Sequence, residues 1–104
     1  MFQMYGVVPP MITPFQENGE VDYDSLKTLV SFLSENVDGL FITGSYGGGA
    51  LMTEEERRGV AETTINTTSG RLPVIVHVGT ADSLSASRLV DHAAVCGADA
   101  VAAV

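Results

Sequence analysis

The run Gly44-Ser45-Tyr46-Gly47-Gly48-Gly49 sets two hydroxyl side chains among glycines, between the apolar Leu40-Phe41-Ile42 and the helix start Thr53-Glu54-Glu55-Glu56. Glycines let a ligand come close to the backbone, and a strand that feeds such a loop into a helix N-terminus turns N–H groups toward an anion. Ligand contact is expected here. The run has neither the Gly-Lys-Ser/Thr ending of a phosphate-binding P-loop nor the G-x-G-x-x-G spacing of a dinucleotide fold. A flexible connector between strand and helix is the competing reading.

Other residue types that carry chemistry are sparse. His77 stands in a run of Val and Ile and reads as a packed or hydrogen-bonded core histidine. His92 has no ligand partner near it in sequence, and two histidines with one cysteine lack metal-ligand spacing, so no metal site is expected. Cys96, beside Gly97 at a helix end, reads as a small packing residue rather than a reactive thiol. Glu54, Glu55 and Glu56 fall in a first helical turn, where capping and the helix dipole account for them.

The elements that must position these residues follow from periodicity. Residues 6–12 (GVVPPMI) read as a first strand interrupted by Pro9 and Pro10, and residues 16–19 (QENG) as a turn. Asp22 caps a first helix whose stripe is Leu26, Leu29, Val30 and Leu33 and which stops near Asn36. Residues 39–43 form a second strand, and Thr53-x-x-Glu56 is a capping box that opens a second helix ending at Gly70. Residues 73–78 (PVIVHV) form a continuous apolar strand, as in a parallel sheet covered on both faces. A third helix over residues 83–96, with Leu84, Leu89, Val90 and Ala93 as its stripe and Gly97 as C-cap, leads to a fourth strand at residues 100–104.

The order βαβαβαβ predicts a parallel α/β architecture, either an open doubly wound sheet or a (β/α)8 barrel. A complete barrel needs roughly 250 residues, so these 104 would supply about three and a half βα units of one as a single partial domain. The apolar final strand fits an N-terminal fragment of such a fold.

A formal charge of −8 argues against nucleic acid and anionic membrane surfaces as partners. The lone Cys96 forms no internal disulfide, residues 1–4 show no export signal, and no apolar run approaches the ~18 residues of a membrane span, so a cytoplasmic protein is expected. The sequon Asn66-Thr67-Thr68 reads as helix surface.

Three segments, in order, resemble the dihydrodipicolinate synthase and N-acetylneuraminate lyase superfamily of pyruvate-dependent class I aldolases. Residues 8–15 (VPPMITPF), followed by residues 18–22 (NGEVD), resemble its first strand and turn, and residues 44–57 its glycine-threonine-threonine-glycine-glutamate motif with the helix after it. Residues 76–80 (VHVGT) resemble its third strand, leaning toward the neuraminate lyase branch. The resemblance implies a (β/α)8 barrel with its site at the C-terminal ends of the strands.

It further implies a lyase or aldolase that forms a Schiff base with pyruvate or another 2-keto acid, without a cofactor, and a homo-oligomer. In that family the paired hydroxyl residues and a backbone N–H hold the substrate carboxylate. The matching positions are Ser45 and Tyr46, flanked by Gly44 and Gly47. Two departures stand out: Tyr46 replaces a threonine and carries its hydroxyl farther out, and Gly48 replaces the glutamate, which puts the substrate range in doubt. The single lysine, Lys27, reads as helix surface beside Asp24 and Thr28. Neither the Schiff-base lysine nor the proton-relay tyrosine of the family has a counterpart, so no catalytic residue is assigned and the fragment alone is expected to be inactive. The alternatives are a truncated chain that self-associates without catalysis, and a small α/β module that binds an organic anion at the glycine run.

Overall fold

The computed structural model describes residues 5–103. Residues 1–4, read above for an export signal, and Val104, the end of the expected fourth strand, lie outside them.

Helix α1 (Tyr23–Ser34) begins at its expected cap: the Asp22 carboxylate accepts from the Ser25 N–H at 3.0 Å and from the Ser25 hydroxyl at 2.9 Å. Its stripe buries Leu26 and Val30, while Leu29 and Leu33 pack at the margin of the core. Strands β1 (Leu40–Ile42), β2 (Val74–His77) and β3 (Ala100–Ala102) pair in parallel and in chain order, with Phe41 opposite Ile75 and Ile75 opposite Ala100. Between them run α2 (Glu54–Thr68) and α3 (Ser83–Cys96). The expected capping box is complete: Thr53 Oγ1 accepts from the Glu56 N–H, and Glu56 Oε1 accepts from the Thr53 N–H. Helix α3 ends at Gly97, whose φ of 93° is the left-handed C-cap a glycine takes without steric cost.

Three expectations are corrected. Residues 6–12 do not form a full strand; they meet β1 at one parallel bridge, Pro10 to Phe41, where the Met11 N–H donates to Phe41 O and the Phe41 N–H to Pro9 O. Pro9 and Pro10 keep their carbonyls but have no N–H, so this edge accepts from the ladder and donates to it only past the prolines. Burial along β2 alternates, Val74 and Val76 buried and Ile75 and His77 half-buried, instead of being complete on both faces. Right-handed crossovers place the helices on one side of the sheet, so only that side is fully covered among the described residues. In α3, Leu89 and Ala93 are buried, but Leu84 and Val90 are exposed. Leu84 lies about 140° around the helix from Leu89 and Val90 about 100°, which takes both off the buried stripe.

The core joins Leu26 and Val30 of α1, Leu40 and Ile42 of β1, Val60 and Ala61 of α2, Val74 and Val76 of β2, and Leu89 and Ala93 of α3. No helix among the described residues is long and apolar enough to cross a membrane.

Candidate functional site

Strand β1 delivers the chain into the glycine run through Thr43, a fully buried β-branched residue with a φ of +57°. That conformation costs about 1–2 kcal/mol for a residue with a Cβ and persists only where the surroundings enforce it. Here the Thr43 hydroxyl lies 2.7 Å from Ile42 O and 2.9 Å from His77 O, which ties the turn to the end of β2. Beyond it the run closes on itself, the Gly48 N–H donating to Ser45 O and the Gly49 N–H to Gly44 O, and a short 3-10 turn (Gly49–Leu51) leads toward α2. Among the described residues, no protein group accepts from the N–H of Ser45, Tyr46 or Gly47. Three successive N–H groups without a protein acceptor thus follow the C-terminal end of β1, where an anion would find donors.

A cleft of about 570 Å³ opens beside the run, bounded by Gly44, Ser45, Arg57, His77, Gly79 and Asp82 among others. The structure therefore brings Gly44 and Ser45 to the cleft. It leaves Tyr46 on the surface, 75% exposed, and packs Gly47 beneath the run, where a Cβ would stand 3.0 Å from the Met11 carbonyl oxygen.

Two wall residues carry more than sequence reasoning gave them. Arg57 is buried and has no carboxylate partner among the described residues. Its Nη1 donates to Gly79 O at 2.9 Å and its Nη2 to His77 O at 2.7 Å, with His77 Nδ1 at 3.2 Å, while its Nε has no partner. Burial pulls the Arg57 pKa down, and burial followed by the Arg57 charge pulls the His77 pKa down, which favours the neutral imidazole that accepts at Nδ1. The signal for Arg57 was legible in the spacing: Arg57, Val60, Ala61, Thr64 and Thr68 share the buried face of α2.

Glu54, read from sequence only as a helix-start acid, also joins two helices. Arg88 of α3 grips it with Nε and Nη2 at 2.9 Å each, and Arg58 reaches it at 2.6 Å. The hydrogen bonds from Arg88 hold its carboxyl at about 2, with the Arg88 and Arg58 charges contributing in the same direction. A carboxyl lowered in the folded state stabilises the fold above its ordinary 4.5, and this contribution is lost as pH falls toward 2. Glu54→Gln is therefore expected to flatten the acid limb of the stability curve, with the urea midpoint falling less than in the unmodified protein between neutral pH and the acid range. An identical acid limb in the two proteins would remove Glu54 from this role.

The expectation that His92 lacks a partner is corrected. Its Nε2 lies 2.8 Å from Glu62 Oε1 and 3.4 Å from Cys96 Sγ, because α2 and α3 pack side by side and residues 92 and 96 are one helical turn apart.

The model of the dihydrodipicolinate synthetase family matches residues 3–104, almost the whole chain. The chain belongs to this family. Family members similar to it include the 4-hydroxy-tetrahydrodipicolinate synthase of Roseobacter denitrificans, 40% identical over 95% of this chain and 34% of the relative. The N-acetylneuraminate lyase of Citrobacter koseri is 36% identical over the same shares. Among solved structures, the dihydrodipicolinate synthase of Aquifex aeolicus superposes with a TM-score of 0.89 at 34% identity, over 94% of this chain and 33% of that one.

The chain thus spans about a third of the length of the curated relatives it matches. Its parallel strands and crossover helices are the N-terminal part of a (β/α)8 barrel of the dihydrodipicolinate synthetase family, as the sequence resemblance implied. In such a barrel the ends of β1 and β2, where the glycine run and the Arg57 wall lie, belong to the face that carries active sites.

Proposed function

We propose that this chain supplies the carboxylate-binding corner of a cytoplasmic, homo-oligomeric lyase or aldolase that forms a Schiff base with pyruvate or another 2-keto acid. The observation that carries the reading is the free N–H row of Ser45, Tyr46 and Gly47, beside the exposed Ser45 side chain at the end of β1. A carboxylate takes several hydrogen bonds at once, and backbone donors fixed by a turn require no reorganisation to meet it. Tyr46 serves through its backbone N–H, since its side chain points to solvent from outside the cleft.

The covalent step lies outside this chain. A Schiff-base lysine must become neutral in a desolvated pocket next to the keto carbon. Lys27, the only lysine, is exposed on α1. The 104 residues alone therefore bind a 2-keto acid weakly and do not turn it over.

The test is an intact-mass measurement on the protein from its native source after incubation with pyruvate and borohydride. The expected result is a chain about three times 10.9 kDa carrying one reduced pyruvate adduct. An unmodified 10.9 kDa chain would overturn the catalytic reading. It would leave a self-associating remnant, which the exposed Leu84, Val95 and Val101 favour, or an anion-binding module.

A further inference from the structure

The carboxylate of Glu62 on α2 and the imidazole and thiol of His92 and Cys96 on α3 converge on the outer side of the helix pair. One ligand-competent atom from each lies within 4.8 Å of the other two. We propose that Glu62, His92 and Cys96 form a three-residue site for a divalent transition-metal ion of the zinc class, with water as the fourth ligand, which pins α2 to α3.

The geometry separates this reading from a catalytic relay. A thiol–imidazole–carboxylate relay needs the thiol on one ring nitrogen and the carboxylate on the other. Here Glu62 Oε1 lies 2.8 Å from His92 Nε2, while Cys96 Sγ lies 3.4 Å from Nε2 and 3.8 Å from Nδ1, over the ring and not on a nitrogen of its own. Three donors within 4.8 Å of one another are close enough to become ligands of one tetrahedral ion, where nitrogen and oxygen stand about 2.0–2.1 Å and sulfur about 2.3 Å from the metal. Small rotations of the Glu62 and His92 side chains open the space between them.

The helices supply the preorganisation. His92 and Cys96 are spaced i, i+4 on α3, so their side chains lie one above the other facing α2. Glu62 stands opposite on α2, with 56% of its side chain exposed, so it adjusts freely and leaves a route for the ion and its water. His92 is 17% exposed, so the helix pair encloses most of its ring and leaves it room to turn only about its own side-chain bonds. The donor set of one thiolate, one imidazole and one carboxylate suits zinc, and cobalt as its spectroscopic substitute, better than magnesium or calcium. Burial, with Glu62 adding to it, pushes the Cys96 thiol up, so the free protein keeps that proton and binding releases it to solvent.

The experiment is a titration of the purified protein with Co²⁺, followed by displacement with Zn²⁺. The expected result is a thiolate-to-cobalt charge-transfer band in the near ultraviolet, visible bands of four-coordinate cobalt, and loss of both with one equivalent of Zn²⁺. Cys96→Ser is expected to abolish the charge-transfer band and weaken zinc binding by roughly a hundredfold or more. Glu62→Gln, on an exposed side chain that leaves the fold intact, is expected to weaken it by about tenfold or more. Absence of the band, or zinc binding unchanged in Cys96→Ser and Glu62→Gln, would overturn the site. Neither readout involves pyruvate, so the result is independent of the aldolase reading.

Discussion

Gly49→Ala is expected to destabilise the protein by about 3 kcal/mol or more, enough to abolish a cooperative unfolding transition in a marginal chain. A Cβ at this position would overlap the carbonyl oxygen of Thr43 and crowd its carbonyl carbon. That neighbour is backbone and cannot rotate away. Nor can it retreat, because Thr43 is fully buried in its left-handed turn and its hydroxyl reaches His77 O at the end of β2. Relief would require breaking the Gly49 N–H to Gly44 O bond that closes the run. Gly48→Ala is the comparison: its φ is +73°, but the nearest atoms to an added Cβ are on the Phe15 ring, at 3.7 Å and beyond. It meets only the left-handed backbone cost of about 1 kcal/mol. Urea denaturation of the two variants checks the pair, and equal midpoints would show that the close approach at Gly49 does not constrain the run.

This contrast marks where sequence reading reached its limit. That six residues rich in glycine join a strand to a capped helix was plain from residues 40–56, and both the box of Thr53 and Glu56 and the cap at Asp22 formed as their spacing predicted. The α1 stripe and the parallel order were legible because 3.6-residue periodicity and apolar strand runs are local patterns, whereas Leu84 and Val90 fall off the buried stripe of α3. What was not legible was which glycine is required by backbone contact, since Gly49 meets Thr43 only after the turn is built. The first segment looks like a strand because its residues are apolar, but Pro9 and Pro10 bring no N–H donors and it meets β1 at a single bridge. The convergence of Glu62 with His92, 30 positions apart, depends on how two helices pack side by side, and no spacing rule within either helix reports it.

Arg57 supplies the second large effect, and its sign is a balance of two terms. Arg57→Met removes a charge that burial penalises, which favours the variant, and fills much of the same volume. It also removes the donor that reaches Gly79 O, His77 O and His77 Nδ1 at 2.9, 2.7 and 3.2 Å, although His77 O keeps the Thr43 hydroxyl. Hydrogen bonds from a charged donor are worth about 1.5–3 kcal/mol each, and an orphaned buried acceptor costs about 1–3. Lost donors therefore outweigh the recovered desolvation, but His77 and Gly79 are half-buried at the cleft, so a net loss of about 1–2 kcal/mol is expected. Arg57→Lys recovers only part of it, because one ammonium cannot span the carbonyls of residues 77 and 79 as a planar fork does.

The pH dependence identifies the cause. With its folded pKa below 6.5, His77 makes the protein lose stability as pH falls from 6.5 to that lower value, below which its contribution is flat. Burial is the larger cause and remains in the variant, but the Arg57 charge is gone, so the His77 pKa rises toward 6.5 and this window narrows. The stability deficit of Arg57→Met should accordingly be largest at neutral pH and shrink on acidification through the histidine range. A deficit that stays constant there would mean that Arg57 supports the β2 end through its hydrogen bonds to the carbonyls alone and is not electrically coupled to His77.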